Sequence, residues 1–193
     1  TLFRSFICKR FSLSSDQCPA KEDPGLVGSA QTIELLLKEI RPKYNNQELE
    51  KFIKHLPILS AQLSIEEKIK KINHYLFDEL KMHADNSYMS RNNVDNILPD
   101  STLKFKKAHC LGLSVLYLIA AEKLMIKAYL VRAPGHVFVR YCDSNKCLNI
   151  ESLKKGEITS DQYYIDNLFI TKNNIEEGHY LKNLSANSEL LAS

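Results

Sequence analysis

One cysteine, one histidine and two side chains further along carry the groups that thiol-dependent acyl transfer needs. Cys110 comes first, His136 follows, and an amide at Asn149 and an acid at Glu151 come last. The nucleophile in such chemistry is a thiolate, which needs a nearby imidazole and a third group that fixes the direction and tautomer of the imidazole. The order of these residues therefore predicts a catalytic triad with Cys110 as nucleophile, His136 as base and Glu151 or Asn149 as the orienting group.

The residues around Cys110 and His136 predict the elements that would bring these side chains together. An apolar run over residues 110–124 indicates a buried helix with Cys110 in its first turn, where the helix dipole favours a thiolate. The pattern then alternates and predicts strands over residues 126–133, 136–142 and 147–151, joined by a Pro-Gly turn and a hairpin loop. The fold class that follows is α+β, with a central Cys-bearing helix packed on a small antiparallel sheet and preceded by N-terminal helices.

The register of the second hairpin decides which side chain lies beside the histidine. A tight turn centred on Asp143-Ser144 places Glu151 directly opposite His136. A turn centred on Ser144-Asn145 leaves Glu151 diagonal to His136, still within reach of a long carboxylate. Both turns favour Glu151 over Asn149 as the orienting residue.

Three helical patterns precede the predicted Cys-bearing helix. Apolar residues recur at helical spacing from Thr32 until Pro42, and a second short helix is predicted at about residues 47–55. Ser64 begins a capping-box pattern, and the apolar stripe behind it predicts a third helix to about Met82.

The remaining segments suggest how the chain divides. Residues 1–30 are rich in Pro, Gly and Ser and predict a poorly ordered lead-in, followed by the main domain over residues 31–170. Within that domain, the polar residues 83–107 predict an ordered loop near the site. Residues 171–193 are predicted to be a helical extension, with a helix over residues 180–191 that the chain end cuts short.

Composition and charge exclude several classes of function. The net charge of +3, with 44% hydrophobic and 25% charged residues, is ordinary for a soluble globular protein, and the lysines are interspersed with acidic residues, unlike a nucleic-acid surface. No apolar run reaches the roughly 18 residues of a membrane span. The five cysteines show no C-x-x-C spacing, and neither a metal nor a cofactor is predicted. Cys142 and Cys147 flank a turn, where a disulfide and two free thiols are both compatible with the spacing, so a cytoplasmic and a secreted location both stay open.

At this point the sequence resembles the transglutaminase-like superfamily, whose core is a papain-like cysteine-hydrolase fold, and in particular a bacterial branch whose members often precede helical repeats. The matching strings are Leu124-Met125-Ile126-Lys127-Ala128, Pro134-Gly135-His136-Val137-Phe138-Val139-Arg140 and Asn149-Ile150-Glu151-Ser152. The resemblance implies that Cys110 is the nucleophile and His136 the base, and that Glu151 stands where the family has its orienting aspartate. It also implies a protein or peptide substrate and a possible protein partner for the C-terminal extension.

Two functions compete on these grounds. The first is a cysteine-dependent amide enzyme that hydrolyses or transamidates through a thioester, and the second is a non-catalytic protein-binding module that keeps the fold. His109 and Arg140 are weaker candidates, because the first neighbours the thiol only in sequence and the second could be a surface charge. A metal site built from His109, Cys110 and His136 is disfavoured, since adjacent side chains on a helix would diverge.

Overall fold

A computed structural model of the protein describes residues 47–85 and 98–184. The predicted lead-in over residues 1–30 and the helix predicted from Thr32 lie outside the described residues. The described residues up to Asn183 belong to one compact unit. The division at residues 30 and 170 stays a prediction. No helix in the described ranges is long and apolar enough to cross a membrane.

Two N-terminal helices follow the predicted pattern. Helix α1 spans Gln47–Lys54 and helix α2 spans Ile65–Asn73. Ser64 caps α2 through the predicted capping box, in which its hydroxyl accepts from the backbone N–H of Glu67 while the Glu67 carboxylate accepts from the N–H of Ser64. The helix continues as a π-helical turn over His74–Glu79, so this third predicted helix is confirmed.

The segment predicted as a polar loop over residues 83–107 contains regular structure in its described parts. Helix α3 spans Pro99–Phe105, and strands β1 (His83–Ala84) and β2 (Lys107–Ala108) pair in parallel. The loop prediction is therefore wrong for these residues. Pro99 suits the first helical turn, where its missing N–H is not needed, and the apolar face of α3 is buried.

The cysteine-bearing helix α4 spans Cys110–Lys123 and is the centre of the fold. Every residue from position 112 to position 121 is buried, because the helix is apolar all round and packs on the sheet, on α3 and on α1. The sheet has the order β6-β5-β4-β3-β7, in which β3, β4, β5 and β6 pair antiparallel. Its strands are β3 (Lys127–Ala133), β4 (His136–Cys142), β5 (Cys147–Glu151), β6 (Glu157–Thr159) and β7 (Asn183–Leu184). The predicted α+β class, with a central Cys-bearing helix on a small antiparallel sheet, is confirmed, and β6 and β7 are additional strands.

The β4–β5 hairpin adopts the second of the two predicted registers. Cys142 pairs with Cys147 across the strands, which centres the turn on Ser144 and Asn145. The Asp143 carboxylate holds this turn because it accepts from the backbone N–H groups of Asn145 and Lys146. Cys142 and Cys147 form a disulfide with their Cα atoms 4.1 Å apart. Of the two alternatives that the sequence left open, the structure therefore has the disulfide and not two free thiols.

The chain after β5 covers the other face of the sheet. It forms a 3₁₀ turn (Ser152–Lys154), helix α5 (Asp161–Leu168) and helix α6 (Lys172–Glu176), and Tyr164 of α5 is buried in a small second core. The prediction of a helix over residues 180–191 is wrong for residues 180–184, the part that the structure describes. The backbone N–H of Leu181 donates to the carbonyl of Arg132, and the chain continues as β7 on the sheet edge.

Candidate active site

Cys110 is the first residue of α4 and its side chain is half-buried. The residue before it, His109, is the N-cap, with an extended backbone at φ −80° and ψ −175°. The His109 ring folds back over the helix start, and its Nδ1 accepts from the backbone N–H of Leu111 at 3.2 Å. The thiol therefore lies at the positive end of a buried helix dipole, where a negative charge is stabilised.

His136 is the first residue of β4 and follows the turn through Pro134 and Gly135. Gly135 adopts a φ of +62°, which a glycine accepts without strain. The His136 side chain interacts with the thiol of Cys110, and its Nε2 lies 2.7 Å from Oε2 of Glu151. Because Nε2 is engaged by the carboxylate, Nδ1 is the nitrogen left to face the sulfur.

Glu151 ends β5, and only 3% of its surface is exposed. Its Oε1 accepts from the backbone N–H of Leu153 at 3.0 Å, which caps the 3₁₀ turn and fixes the carboxylate with its Oε2 towards His136. The hydroxyl of Tyr164 accepts from Thr159 at 3.1 Å, and both burial and the charge of Glu151 raise the pKa of Tyr164. The Glu151 carboxylate is thus held by the backbone of Leu153 and by His136.

The electrostatics of the site favour an ion pair between the thiol and the imidazole. Burial alone would raise the pKa of Cys110, but polar interactions with His109, His136 and the backbone of Val137, together with the charge of His136, lower that pKa to about 6. Burial likewise opposes the charge on His136, but Cys110 and Glu151 raise the pKa of His136 to about 9. At neutral pH the thiol is therefore ionised and the imidazole is protonated.

A polar cluster beneath α4 fixes the turn that follows Glu151. The backbone N–H of Gly156 donates to the carbonyl of Glu151 at 3.0 Å, and the carbonyl of Gly156 accepts from Nδ2 of Asn73 at 2.8 Å. The hydroxyl of Tyr117 donates to Oδ1 of Asn73 at 2.7 Å. Gly156 has a φ of +77°, and a Cβ there would lie 2.3 Å from both Asn73 Oδ1 and the Tyr117 hydroxyl. Only glycine fits this corner without displacing the neighbouring side chains.

An aromatic stack closes the far side of the histidine. The ring of Tyr164 lies parallel to that of Phe138, with centroids 3.7 Å apart, and its centroid is 6.0 Å from that of His136. Both aromatic residues are fully buried. The stack therefore shields the bond between His136 and Glu151 from solvent.

Comparison with known proteins places the chain in a family. A model described as the transglutaminase-like superfamily matches residues 30–184. The chain belongs to the transglutaminase-like superfamily. Among solved structures, a crystal structure of a TGase is similar at 17% sequence identity and a TM-score of 0.44, over 71% of this chain and 41% of that chain, so the chain spans less than half of that TGase. No curated protein matches the chain.

Within this transglutaminase-like domain, Asn149 lies away from His136. It pairs with Arg140 across the strands, where its Oδ1 accepts from Nε of Arg140 at 2.7 Å and its Nδ2 donates to Asp161 at 2.7 Å. Arg140 also donates to Asp161, to the side chain of Asn183 and to the carbonyl of Leu181. Asn149 and Arg140 thus fasten α5 and the segment that leads to β7 onto the sheet, and the carboxylate that meets His136 is Glu151.

In this transglutaminase-like domain, His109 lies closer to the thiol than its position in the sequence alone indicated, because it caps the helix that Cys110 begins. The argument that His109 and Cys110 diverge assumed that both lie within the helix, whereas the extended backbone of His109 turns its ring back over the first turn. The signal that could have identified it is its place directly before the apolar run, where a side-chain acceptor caps a helix. No group of three or more His, Cys, Asp and Glu side chains within residues 47–85 and 98–184 is arranged to hold a metal ion.

Proposed function

We propose that this protein is a cysteine-dependent acyl-transfer enzyme that acts on a carboxamide or peptide bond. The nucleophile is Cys110, the acid-base is His136 and the orienting carboxylate is Glu151. The observation that carries the proposal is the position of His136, whose Nε2 lies 2.7 Å from the buried Glu151 carboxylate and whose ring interacts with the half-buried thiol of Cys110. Membership in the transglutaminase-like superfamily supports it, since cysteine acyl transfer is common there.

The first half of the reaction forms a thioester. The Cys110 thiolate attacks the carbonyl carbon of the substrate amide, and the carbonyl π electrons move to oxygen to give a tetrahedral oxyanion. When this intermediate collapses, the carbon–nitrogen bond breaks and the His136 imidazolium gives its proton to the departing amine. The products of this half are a free amine and an acyl group on the sulfur, with a neutral His136.

The second half releases the acyl group. Neutral His136 takes a proton from water or from a second amine, which attacks the thioester carbon, and the carbon–sulfur bond breaks to restore the thiolate and the imidazolium. Water as the acceptor gives hydrolysis, and an amine gives transamidation. Glu151 stabilises the imidazolium that is present before and after the cycle and keeps the ring in one orientation.

The oxyanion needs hydrogen-bond donors at the start of α4. The N–H of Leu111 is already accepted by His109, so we assign this role to the backbone N–H of Cys110, at the first position of the helix. The helix dipole points the same way and adds to the stabilisation of negative charge.

The first experiment measures how iodoacetamide alkylates Cys110 as a function of pH, with the alkylated peptide identified by mass spectrometry. On the acid side of the profile, the alkylation rate of the wild type should fall to half of its plateau near pH 6. We call this half-point the acid limb. In His136→Ala the limb moves towards the value of an ordinary cysteine, about 8.5. The smaller thiolate fraction outweighs the higher intrinsic nucleophilicity of a more basic thiolate, so alkylation at pH 6 slows roughly tenfold. His55→Ala, which removes an exposed ring in the turn after α1, is the matched control and keeps the wild-type limb.

The second experiment tests whether a covalent thioester forms on Cys110. Incubation with p-nitrophenyl acetate should release p-nitrophenol in a burst and leave one acetyl group on Cys110, detected by peptide mass spectrometry, whereas Cys110→Ala should give no burst. A wild-type acid limb near 8.5, or a wild type that acquires no acetyl group on Cys110, would sink the enzyme proposal. Either outcome would leave the second function, a protein-binding module with this fold.

A further inference from the structure

We infer that His109 is a second catalytic imidazole whose buried Nε2–H becomes a donor to the Cys110 sulfur when the thiol ionises, so that the thiolate is held between two histidines, His109 from the helix cap and His136 from β4. This inference rests on the proposed function, because it concerns the same sulfur. It assigns the two rings different tasks. His136 gives and takes the proton, while His109 donates a hydrogen bond to the charged sulfur.

The tautomer of His109 follows from its capping bond. Nδ1 accepts from the backbone N–H of Leu111, and a nitrogen that accepts a hydrogen bond carries no proton. In the neutral ring the single proton is therefore on Nε2. The helix cap thus turns the ring into a hydrogen-bond donor at its far end.

That donor is buried and has no partner. Within the described part of the chain, the Nε2 atom of His109 is inaccessible to solvent and makes no hydrogen bond. A buried N–H without an acceptor destabilises a fold, so such a group normally has a ligand or a charge nearby. The neighbouring acceptor is the Cys110 sulfur, whose pKa is lowered by the His109 ring as well as by His136.

Other charged groups on the elements around α4 are engaged elsewhere. On β4 and β5, His136 and Glu151 form the pair already described. Several charged side chains on these elements have partners of their own: Lys107 of β2 lies near Asp85, Asp100 of α3 accepts from the backbone of α1, Lys127 of β3 lies over Tyr129, Arg132 of β3 donates to the carbonyl of His179, and Lys154 of the 3₁₀ turn lies over Tyr163. Among the described side chains, the two imidazoles are the ones that lower the pKa of the thiol.

A hydrogen bond from His109 should keep Cys110 reactive at a lower pH than His136 alone would. A donor that favours the thiolate lowers the pH at which half of the thiol is ionised, without taking part in proton transfer. Removing this donor should raise the acid limb of Cys110 reactivity and leave the proton transfer of His136 intact.

Two substitutions at position 109 separate the cap from the donor. Asparagine has a side-chain oxygen close to the position of Nδ1 and is a good N-cap, but it has no group at the position of Nε2. Glutamine places an amide N–H near the position of Nε2 but caps poorly. We expect His109→Asn to keep the melting temperature of the wild type while the acid limb of iodoacetamide alkylation at Cys110 rises by about 1–2 pH units, the size of one charge-assisted hydrogen bond. We expect His109→Gln to melt at a lower temperature and to recover part of that shift.

A measurement on the wild type makes the test independent of any variant's folding. Two-bond ¹H–¹⁵N spectra should show the His109 ring protonated at Nε2 alone, and alkylation of Cys110 should move its signals more than those of the exposed His55 ring. An unshifted acid limb in His109→Asn, or a His109 ring protonated at Nδ1, would overturn this inference alone. A wild-type limb near 8.5 would instead overturn the proposed function and this inference with it.

Discussion

Replacing Glu151 by glutamine should lower the pKa of His136 and leave the thiol nearly unaffected. The carboxylate lies 2.7 Å from Nε2 of His136 and is one of the two groups that raise the pKa of that ring to about 9, the other being Cys110. A hydrogen bond to a charged group contributes about 1.5–3 kcal/mol and a neutral one about 1 kcal/mol. Glutamine can still accept from Nε2, so the loss is the difference, about 0.5–2 kcal/mol with a midpoint of about 1.3 kcal/mol. At about 1.4 kcal/mol per pH unit, we expect the pKa of His136 to fall by about one unit, to about 8.

The sign of this change decides which limb of the activity profile moves. A negative neighbour favours the imidazolium, so removing it makes the ring lose its proton at lower pH. The pH window in which the thiolate and the imidazolium coexist should therefore narrow from its basic side, while its acid limb near pH 6 stays in place.

The assay is a ¹H–¹⁵N titration of the His136 ring, assigned by its absence in His136→Ala. The exposed ring of His55 serves as an internal reference in the same spectra. Glu151→Asp is the matched control, because it keeps the charge with a shorter side chain and should hold the pKa of His136 above that of the glutamine variant. A His136 pKa that stays at about 9 in Glu151→Gln would show that the carboxylate does not stabilise the imidazolium, and the orienting role would be withdrawn.

Two further substitutions test the contacts that hold the turn after Glu151 and helix α5 in place. Gly156→Ala should lower the free energy of unfolding by about 2–4 kcal/mol in urea denaturation, because a non-glycine residue is strained at this φ and its Cβ would overlap Asn73 and Tyr117; a loss well below 1 kcal/mol would mean that the corner rearranges freely. Asn149→Ala should lower the same free energy by about 2–3 kcal/mol, because it breaks one hydrogen bond to Arg140 and one to the first residue of α5. The pKa of His136 in Asn149→Ala should stay at about 9, and a fall like the one expected for Glu151→Gln would give Asn149 a share in orienting the ring.

The parts of the fold that could be predicted are those set by local rules. The capping box at Ser64, the apolar run after Cys110 and the alternation of the two hairpins each determine an element without reference to the rest of the chain. The choice of Glu151 over Asn149 was also local, since either plausible turn favours it and Asp143 selects one of them. These predictions needed only short-range chemistry.

The parts that could not be predicted depend on contacts between distant segments. Residues 99–105 look polar, yet they form a helix because Leu98 and Leu103 are buried and Asp100 accepts from the backbone of α1, about fifty residues earlier in the chain. The segment after Tyr180 has helical spacing, but the unpaired edge of β3 and the guanidinium of Arg140 offer hydrogen bonds that a helix there would not use. Local propensity is a weak guide where a sheet edge is available nearby.

The case of His109 shows why the residue before a nucleophile should be judged by its backbone and not by its distance along the chain. Two neighbours inside a helix point about 100° apart, so neither can serve the other. A cap residue lies outside the helix, with an extended backbone that lets its side chain reach back to the second helical N–H, and this path passes over the first residue. A histidine is long enough to cap with one nitrogen and still present an N–H on the other, whereas an ionised Asp that caps a helix has no donor to offer a thiolate. A cysteine that begins a helix directly after a histidine therefore has a possible second partner for its thiolate, and the acid limb of His109→Asn measures whether this chain uses it.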